Sequence, residues 1–148
     1  IMSHRFPNRK DNILAGCELV KNELSKQNID IELQAAAEYY FDEYFIEKIR
    51  EKDLLTFGDN YVLFELSYTS TPFGLEQIVF ELLQSGYKPI LAHPERYTYY
   101  SSSLEKYAGL KDMGLLFQIN LNSLHKFYGA KPKLAAEYLV NNGLVDFV

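Results

Sequence analysis

The chain has 148 residues, a length that one compact domain can occupy, and 47% hydrophobic residues are enough to build a sizeable core. Its formal net charge of −5 argues against nucleic acid as a partner, because nucleic-acid-binding domains usually carry a strongly basic surface. No apolar run reaches the roughly 18 residues of a transmembrane helix, and no signal-peptide pattern is present, so we expect no membrane insertion.

The single cysteine, Cys17, lies in a helix-like pattern from Asn12 to Val20. One cysteine excludes an intramolecular disulfide, and its apolar neighbours predict a small core residue. This cysteine usage fits a reducing compartment, so we expect a cytoplasmic protein.

Regularly spaced glycines divide the rest of the chain into similar units. Gly58, Gly86, Gly114 and Gly143 are separated by 28, 28 and 29 residues, and each follows a helix-like segment and precedes an apolar run. Glycine just past a helix adopts the left-handed cap conformation without steric cost, so the order helix, glycine, strand is expected. In chain order the predicted strands are 29–33, 61–64, 88–92, 115–119 and 144–148, with Asn28 in the glycine's place before the first.

Amphipathic helices are predicted between these strands. Apolar residues between Phe73 and Leu83 recur with the helical period of about 3.6 residues. In chain order the predicted helices are 12–20, 41–50, 73–83, 101–113 and 134–140. Short strands that alternate with helices predict an α/β fold with a parallel sheet, in which all carboxyl ends of the strands share one edge. The repeat length allows either an open doubly wound sheet or part of a (β/α) barrel.

Polar residues recur where the predicted strands end. Glu38 follows the apolar run 34–37, Glu65 follows the strand 61–64, His93 follows the strand 88–92, and Asn120 follows the strand 115–119. The successive separations are 27, 28 and 27 residues, so these side chains are expected at one rim of the sheet. Two carboxylates and an imidazole that converge on one point are the ligands that manganese, iron or zinc accept. The spacing therefore predicts a metal site formed by Glu38, Glu65 and His93.

Each of these residues also has an ordinary structural explanation. His93 could be a hydrogen-bonded structural residue, Glu65 could pair with Arg96, and Glu38 could begin a helix, where the dipole favours a carboxylate. Spacing alone leaves both interpretations open.

Other polar residues are weaker candidates. They are His4, which could reach the rim; Asn122 and His125 beyond Asn120; the tyrosines 97, 99 and 100, which favour a rim or interface role; and the serines 101–103, which favour a turn or helix cap.

The segment Pro89–Tyr97 ends in His93-Pro94-Glu95-Arg96-Tyr97 and resembles the "AHPERY" signature of the CpsB/YwqE group. These are bacterial manganese-dependent protein-tyrosine phosphatases of the polymerase-and-histidinol-phosphatase (PHP) superfamily. The segments 61–67 ("YVLxEFS"), 37–42 ("AEYYxD") and 117–120 ("xQxN") are similar to other motifs of that group, as are residues 1–3 and 142–145.

This resemblance implies part of a distorted (β/α)7 TIM-like PHP barrel with a metal cluster at its rim. Glu38, Glu65 and His93 match metal ligands of the family, and Arg96 matches an arginine that binds phosphate, which makes it the candidate catalytic and substrate-binding residue. The implied cofactor is a divalent metal, manganese first and iron or zinc as alternatives. The implied substrate is the phosphotyrosine tail of a bacterial tyrosine kinase that regulates capsule or exopolysaccharide export.

The chain also departs from the family pattern. It has no counterpart of the N-terminal His-x-His pair, and the final Asp-x-His motif would begin after Val148. We therefore expect residues 1–148 to form a single PHP-type domain that lacks the first and last metal-binding strands, and to be inactive alone. A histidinol-phosphate-like phosphatase and a non-catalytic PHP-barrel binding module are the alternative functions. Homo-oligomers are possible, because missing strands leave open sheet edges.

Overall fold

A computed structural model describes residues 1–101 and 103–148. Its strands are β1 (Glu38–Tyr40), β2 (Tyr61–Glu65), β3 (Lys88–Ala92) and β4 (Leu116–Gln118). Its α-helices are α1 (Lys10–Lys26), α2 (Glu43–Glu51), α3 (Leu75–Gln84), α4 (Lys106–Asp112), α5 (Leu121–Leu124) and α6 (Ala130–Asn141). A 3-10 turn, Pro94–Arg96, follows β3.

The four strands form one parallel sheet in the order β1-β2-β3-β4, which confirms the predicted α/β class. A sequential order of this kind occurs in β/α barrels, whereas a doubly wound sheet reverses its order at a switch point. Within the described residues, no helix has both the length and the apolar character needed to cross a bilayer.

The helix-facing side of the sheet forms the core. Val62 and Phe64 are completely buried, and the ring of Phe64 stacks on that of Phe45 from α2 with centroids 5.6 Å apart. Helix α3 presents an apolar stripe of the predicted period, formed by Leu75, Ile78, Val79 and Leu82. Because side chains alternate along a strand, Glu65 lies on the opposite face of β2 from Phe64.

The N-terminal units differ from the prediction. Segments 29–33 and 34–37 contain no strand, and Ile29 and Ile31 stay exposed, because no neighbouring strand pairs with them. The first strand instead begins at Glu38, where Tyr39 is buried and its hydroxyl accepts the Leu55 N–H at 2.8 Å. Glu38 therefore starts its strand, and the expectation that it ends one was wrong.

The core role predicted for Cys17 was also wrong. Helix α1 contains the predicted segment 12–20, but it has no buried residue, and Cys17 is half-buried. The predicted strand 144–148 forms a single parallel bridge, between Phe147 and Gln118, rather than a regular strand. The other predicted helices are present with shifted ends, although Ser102 of the segment 101–113 lies outside the described residues.

Candidate metal centre

The three predicted ligands meet at one edge of the sheet. Glu65 is the last residue of β2, and His93 follows β3 directly. His93 Nε2 lies 3.4 Å from Glu65 Oε2 and 3.5 Å from Glu38 Oε1. One ligand atom from each residue lies within 4.8 Å of the others. A single cation could contact all three.

Strand register explains how Glu38 arrives there from the start of its strand. The Cα of Glu38 pairs with Leu63 and that of Tyr40 with Glu65, so Glu38 sits two residues below the strand end. Glu38, Leu63 and Glu65 share the sheet face opposite Phe64, because alternate residues point the same way. The Glu38 side chain is 43% exposed, against 20% for Glu65 and 9% for His93.

The electrostatics of the centre favour a cation. Burial opposes the charge of the His93 imidazole, but the neighbouring Glu38 and Glu65 carboxylates outweigh it and raise the His93 pKa to about 9. The contact with His93 in turn lowers the pKa of Glu65. Two carboxylates thus hold a positive charge between them, which a divalent metal would replace. The donor set of two carboxylates and one imidazole fits such an ion.

The backbone holds His93 in a fixed direction. His93 has a left-handed conformation with φ of 35°, and its N–H donates to the Gln118 carbonyl of β4 at 2.6 Å. A non-glycine residue with this backbone conformation is uncommon, and strained residues of this kind are enriched at active sites. His93 Nδ1 is buried and has no hydrogen-bond partner among the described residues.

Tyr68 packs against the cluster of Glu38, Glu65 and His93, and the sequence did not predict it there. Its ring stacks on that of His93 with centroids 5.5 Å apart, and its hydroxyl donates to Glu65 Oε2 at 3.2 Å. Burial and the Glu65 charge raise the Tyr68 pKa to about 12, so the hydroxyl stays protonated at neutral pH. Its only sequence signal is a position three residues after Glu65.

Arg96 lies beside the centre, against the rings of Tyr68 and Tyr128. The guanidinium carbon is 4.6 Å from the ring centroid of Tyr68 and 4.2 Å from that of Tyr128. Within residues 1–101 and 103–148 it forms no ion pair, so the suggested Glu65–Arg96 pair does not form. Aromatic rings contact the faces of a guanidinium and leave its in-plane N–H groups available to an anion.

Two further residues of the His-Pro-Glu-Arg-Tyr segment support the centre from within the core. The buried Tyr97 hydroxyl donates to the Ala92 carbonyl at 2.8 Å and accepts the Leu66 N–H at 2.9 Å. It therefore joins the residue after Glu65 to the residue before His93. Glu95 is also buried and accepts hydrogen bonds from the Ser123 hydroxyl and the Asn120 N–H. Tyr97 is thus a buried core residue that joins two strand ends, and not the rim residue that the sequence predicted.

The remaining candidates lie outside the cluster. His4 and His125 are exposed and belong to no metal-ligand group of the described residues. Asn120 is tied to Glu95 by its backbone, and Asn122 is exposed. The Ser101 hydroxyl donates to the Thr98 carbonyl, as expected of a turn.

The sequential parallel sheet, with two carboxylates and a histidine that could hold a cation near its carboxyl edge, defines the class as a parallel α/β domain with a candidate metal site. The model of the family "Capsular polysaccharide synthesis, CpsB/CapC" matches residues 1–148. The chain belongs to this family, as its His-Pro-Glu-Arg-Tyr segment indicated.

Several named relatives are consistent with this family assignment. Tyrosine-protein phosphatase CpsB of Streptococcus agalactiae is 27% identical over 156 aligned residues, with 99% of this chain and 64% of the relative covered. CpsB of Streptococcus pneumoniae is 32% identical over 127 residues, with 80% and 51% covered. Tyrosine-protein phosphatase YwqE of Bacillus subtilis is 25% identical over 144 residues, with 97% and 57% covered.

A solved structure also matches, from work on YwqE of Bacillus subtilis and CpsB of Streptococcus pneumoniae, described as unique metal-dependent tyrosine phosphatases. The TM-score is 0.83 at 25% identity, with 97% of this chain and 59% of the other covered. The chain therefore spans between half and two thirds of the length of these relatives.

Proposed function

We propose that this chain provides part of the active centre of a metal-dependent protein-tyrosine phosphatase. Glu38, Glu65 and His93 are the proposed metal ligands, and Arg96 the proposed phosphate-binding residue. The observation that carries the proposal is the convergence of two carboxylates and an imidazole within 4.8 Å, next to an arginine that has no carboxylate partner among the described residues.

Each residue has a separate task in this proposal. A divalent metal, when bound, would lower the pKa of a water molecule and would offset the negative charge of the phosphoryl oxygens. Glu38, Glu65 and His93 would hold it in place, and the left-handed backbone of His93 directs the imidazole towards the two carboxylates. Arg96 would donate two parallel hydrogen bonds to the phosphoryl oxygens, with its orientation fixed by the rings of Tyr68 and Tyr128. Cys17 takes no part in the proposed reaction, because it lies on α1 and outside the ligand cluster.

The proposed substrate is the phosphotyrosine tail of a bacterial tyrosine kinase that controls capsule or exopolysaccharide export, in the cytoplasm. The family description, capsular polysaccharide synthesis, and the tyrosine-phosphatase names of the relatives support this choice. Manganese is the first metal to test, with iron and zinc as alternatives that the same ligands accept.

We further propose that residues 1–148 form the central part of a single PHP-type domain. The support is that the chain spans 57–59% of the length of the relatives it matches, together with the family match along the whole chain. On this basis further metal ligands come from outside the 148 residues, and the isolated chain should turn over phosphotyrosine negligibly.

The test is a phosphate-release assay on the full-length protein with manganese, using a phosphotyrosine peptide and histidinol phosphate side by side. We expect a clear preference for the peptide, complete loss with a chelator, and loss of activity in Glu65→Gln and His93→Gln. Glu47→Gln, an exposed carboxylate on α2, is the matched control and should keep full activity.

Three results would contradict the proposal. A preference for histidinol phosphate would indicate a small-molecule phosphatase. Absence of stoichiometric manganese, iron and zinc, together with no turnover, would indicate a non-catalytic binding module. Unchanged activity in Glu65→Gln and His93→Gln would remove these residues from the centre.

A further inference from the structure

A cavity of about 420 Å³ opens beside the candidate metal centre. Its lining includes Tyr68, Arg96, Thr98, Tyr128, Lys131 and Pro132. The volume lies in the range of small-ligand sites, roughly 300–1,000 Å³. Tyr68 lies between the cavity and the candidate metal centre, because it lines the cavity while its hydroxyl donates a hydrogen bond to Glu65. A group bound in this cavity would therefore be a close neighbour of a phosphoryl group at the metal ligands.

The cavity is positively charged although the protein as a whole is acidic. Arg96 and Lys131 line it, and no carboxylate is among its lining residues in the described part of the chain. Within the described residues, neither Arg96 nor Lys131 forms an ion pair. Lys133, two positions further along α6, does have an acidic partner, Glu137 at 3.3 Å. Two unpaired cations at one cavity attract an anionic group.

The walls are held in place without a ligand. The Thr98 N–H and hydroxyl both donate to the Tyr68 carbonyl at 2.9 Å, which ties the segment after β2 to the turn after β3. Tyr128 packs against Arg96 from the loop before α6. A site whose walls are already fixed loses little conformational entropy when it binds.

We propose that this cavity recognises an acidic side chain next to the phosphotyrosine, and that Lys131 is the specificity-determining residue. The inference rests on the proposed function, in which Arg96 binds the phosphoryl group at the boundary of the cavity. A peptide carries side chains on both sides of the phosphotyrosine, and each extended residue advances the chain by about 3.4 Å. A neighbouring Glu or Asp would then lie within reach of Lys131, whereas a Lys would be repelled.

The test measures binding to the full-length protein with manganese by fluorescence anisotropy. The probes are peptides with a hydrolysis-resistant phosphonate analogue of phosphotyrosine, flanked on both sides by two Glu, two Gln or two Lys. We expect the Glu peptide to bind about two- to fivefold more tightly than the Gln peptide, the scale of an exposed charge pair, and the Lys peptide to bind most weakly.

Variants assign the preference to Lys131. Lys131→Glu should abolish or invert the order of the three peptides, and Lys131→Arg should keep it. Lys106→Glu, an exposed lysine on α4 outside the cavity, is the matched control and should also keep it. Binding of all three peptides with equal affinity, or a preference that survives Lys131→Glu, would overturn this inference and leave the proposed function standing. Absence of phosphonate-dependent binding for every peptide would overturn the proposed function itself.

Discussion

The Tyr97 hydroxyl is the most informative single group to remove, because it joins the two strand ends that carry the proposed ligands. Tyr97→Phe keeps the fully buried ring but deletes both hydrogen bonds, and it leaves the Leu66 N–H and the Ala92 carbonyl without a partner. An unsatisfied buried backbone group costs about 1–3 kcal/mol, and two of them predict a loss of about 3 kcal/mol in the free energy of unfolding. For a domain of this size that corresponds to a fall of roughly 6–12 °C in Tm.

The assay is urea and thermal unfolding of the 148-residue chain followed by circular dichroism. Tyr100→Phe is the matched control, since Tyr100 is also buried in the aromatic cluster but its hydroxyl makes no hydrogen bond among the described residues. The control should change the unfolding free energy by less than about 0.5 kcal/mol. Equal effects of the two substitutions, or a Tyr97→Phe protein as stable as the wild type, would refute the assigned role of the hydroxyl.

Three other predictions concern the charge, the backbone and the arginine. The His93 pKa is raised from 6.5 to about 9 in the folded state, so its contribution to stability is complete below pH 6.5 and is lost as pH rises through 9. Urea titrations with a chelator present should show this decline, and His93→Gln should flatten it; an unchanged slope would contradict the pKa assignment. Gly114→Ala should destabilise by about 1–2 kcal/mol, because φ is +95° and the new Cβ would lie 3.0 Å from Leu83, whereas Gly109→Ala within α4 should stabilise by up to about 1 kcal/mol. Opposite signs in thermal melts check this pair, and equal signs would refute it. Arg96→Lys should weaken inhibition of the full-length protein by inorganic phosphate about tenfold, since an ammonium cannot stack on both rings and donate two parallel bonds; unchanged inhibition would exclude Arg96 as the phosphate-binding residue.

Periodicity and spacing were sufficient to predict the strands that matter most for the site. The glycine-bounded runs 61–64 and 88–92 became β2 and β3, and Glu65 and His93 follow from them directly. Glu38 was placed in the right cluster from a wrong strand boundary. The segment 29–33 alternates like a strand, but an isolated strand has no partner for its backbone groups, and pairing depends on the rest of the sheet.

The hydrogen bonds and ring contacts between side chains of different turns could not be predicted from the sequence pattern. The hydroxyls of Tyr68 and Tyr97 reach their partners only because the turns after β2 and β3 lie next to each other. Tyr128 meets Arg96 across 32 positions of sequence, and neither residue type predicts that contact. Such contacts depend on the direction of each side chain in the folded chain, which spacing does not encode.

The central claim is that Glu38, Glu65 and His93 bind one metal ion together, and anomalous diffraction from crystals of the full-length protein soaked in manganese tests it most directly. We expect an anomalous peak about 2.0–2.3 Å from His93 Nε2 and from a carboxylate oxygen of both glutamates. Crystals of the Glu65→Gln variant, soaked in parallel, should show a much weaker peak. No peak at this position, with the imidazole still in contact with the two carboxylates, would contradict the account.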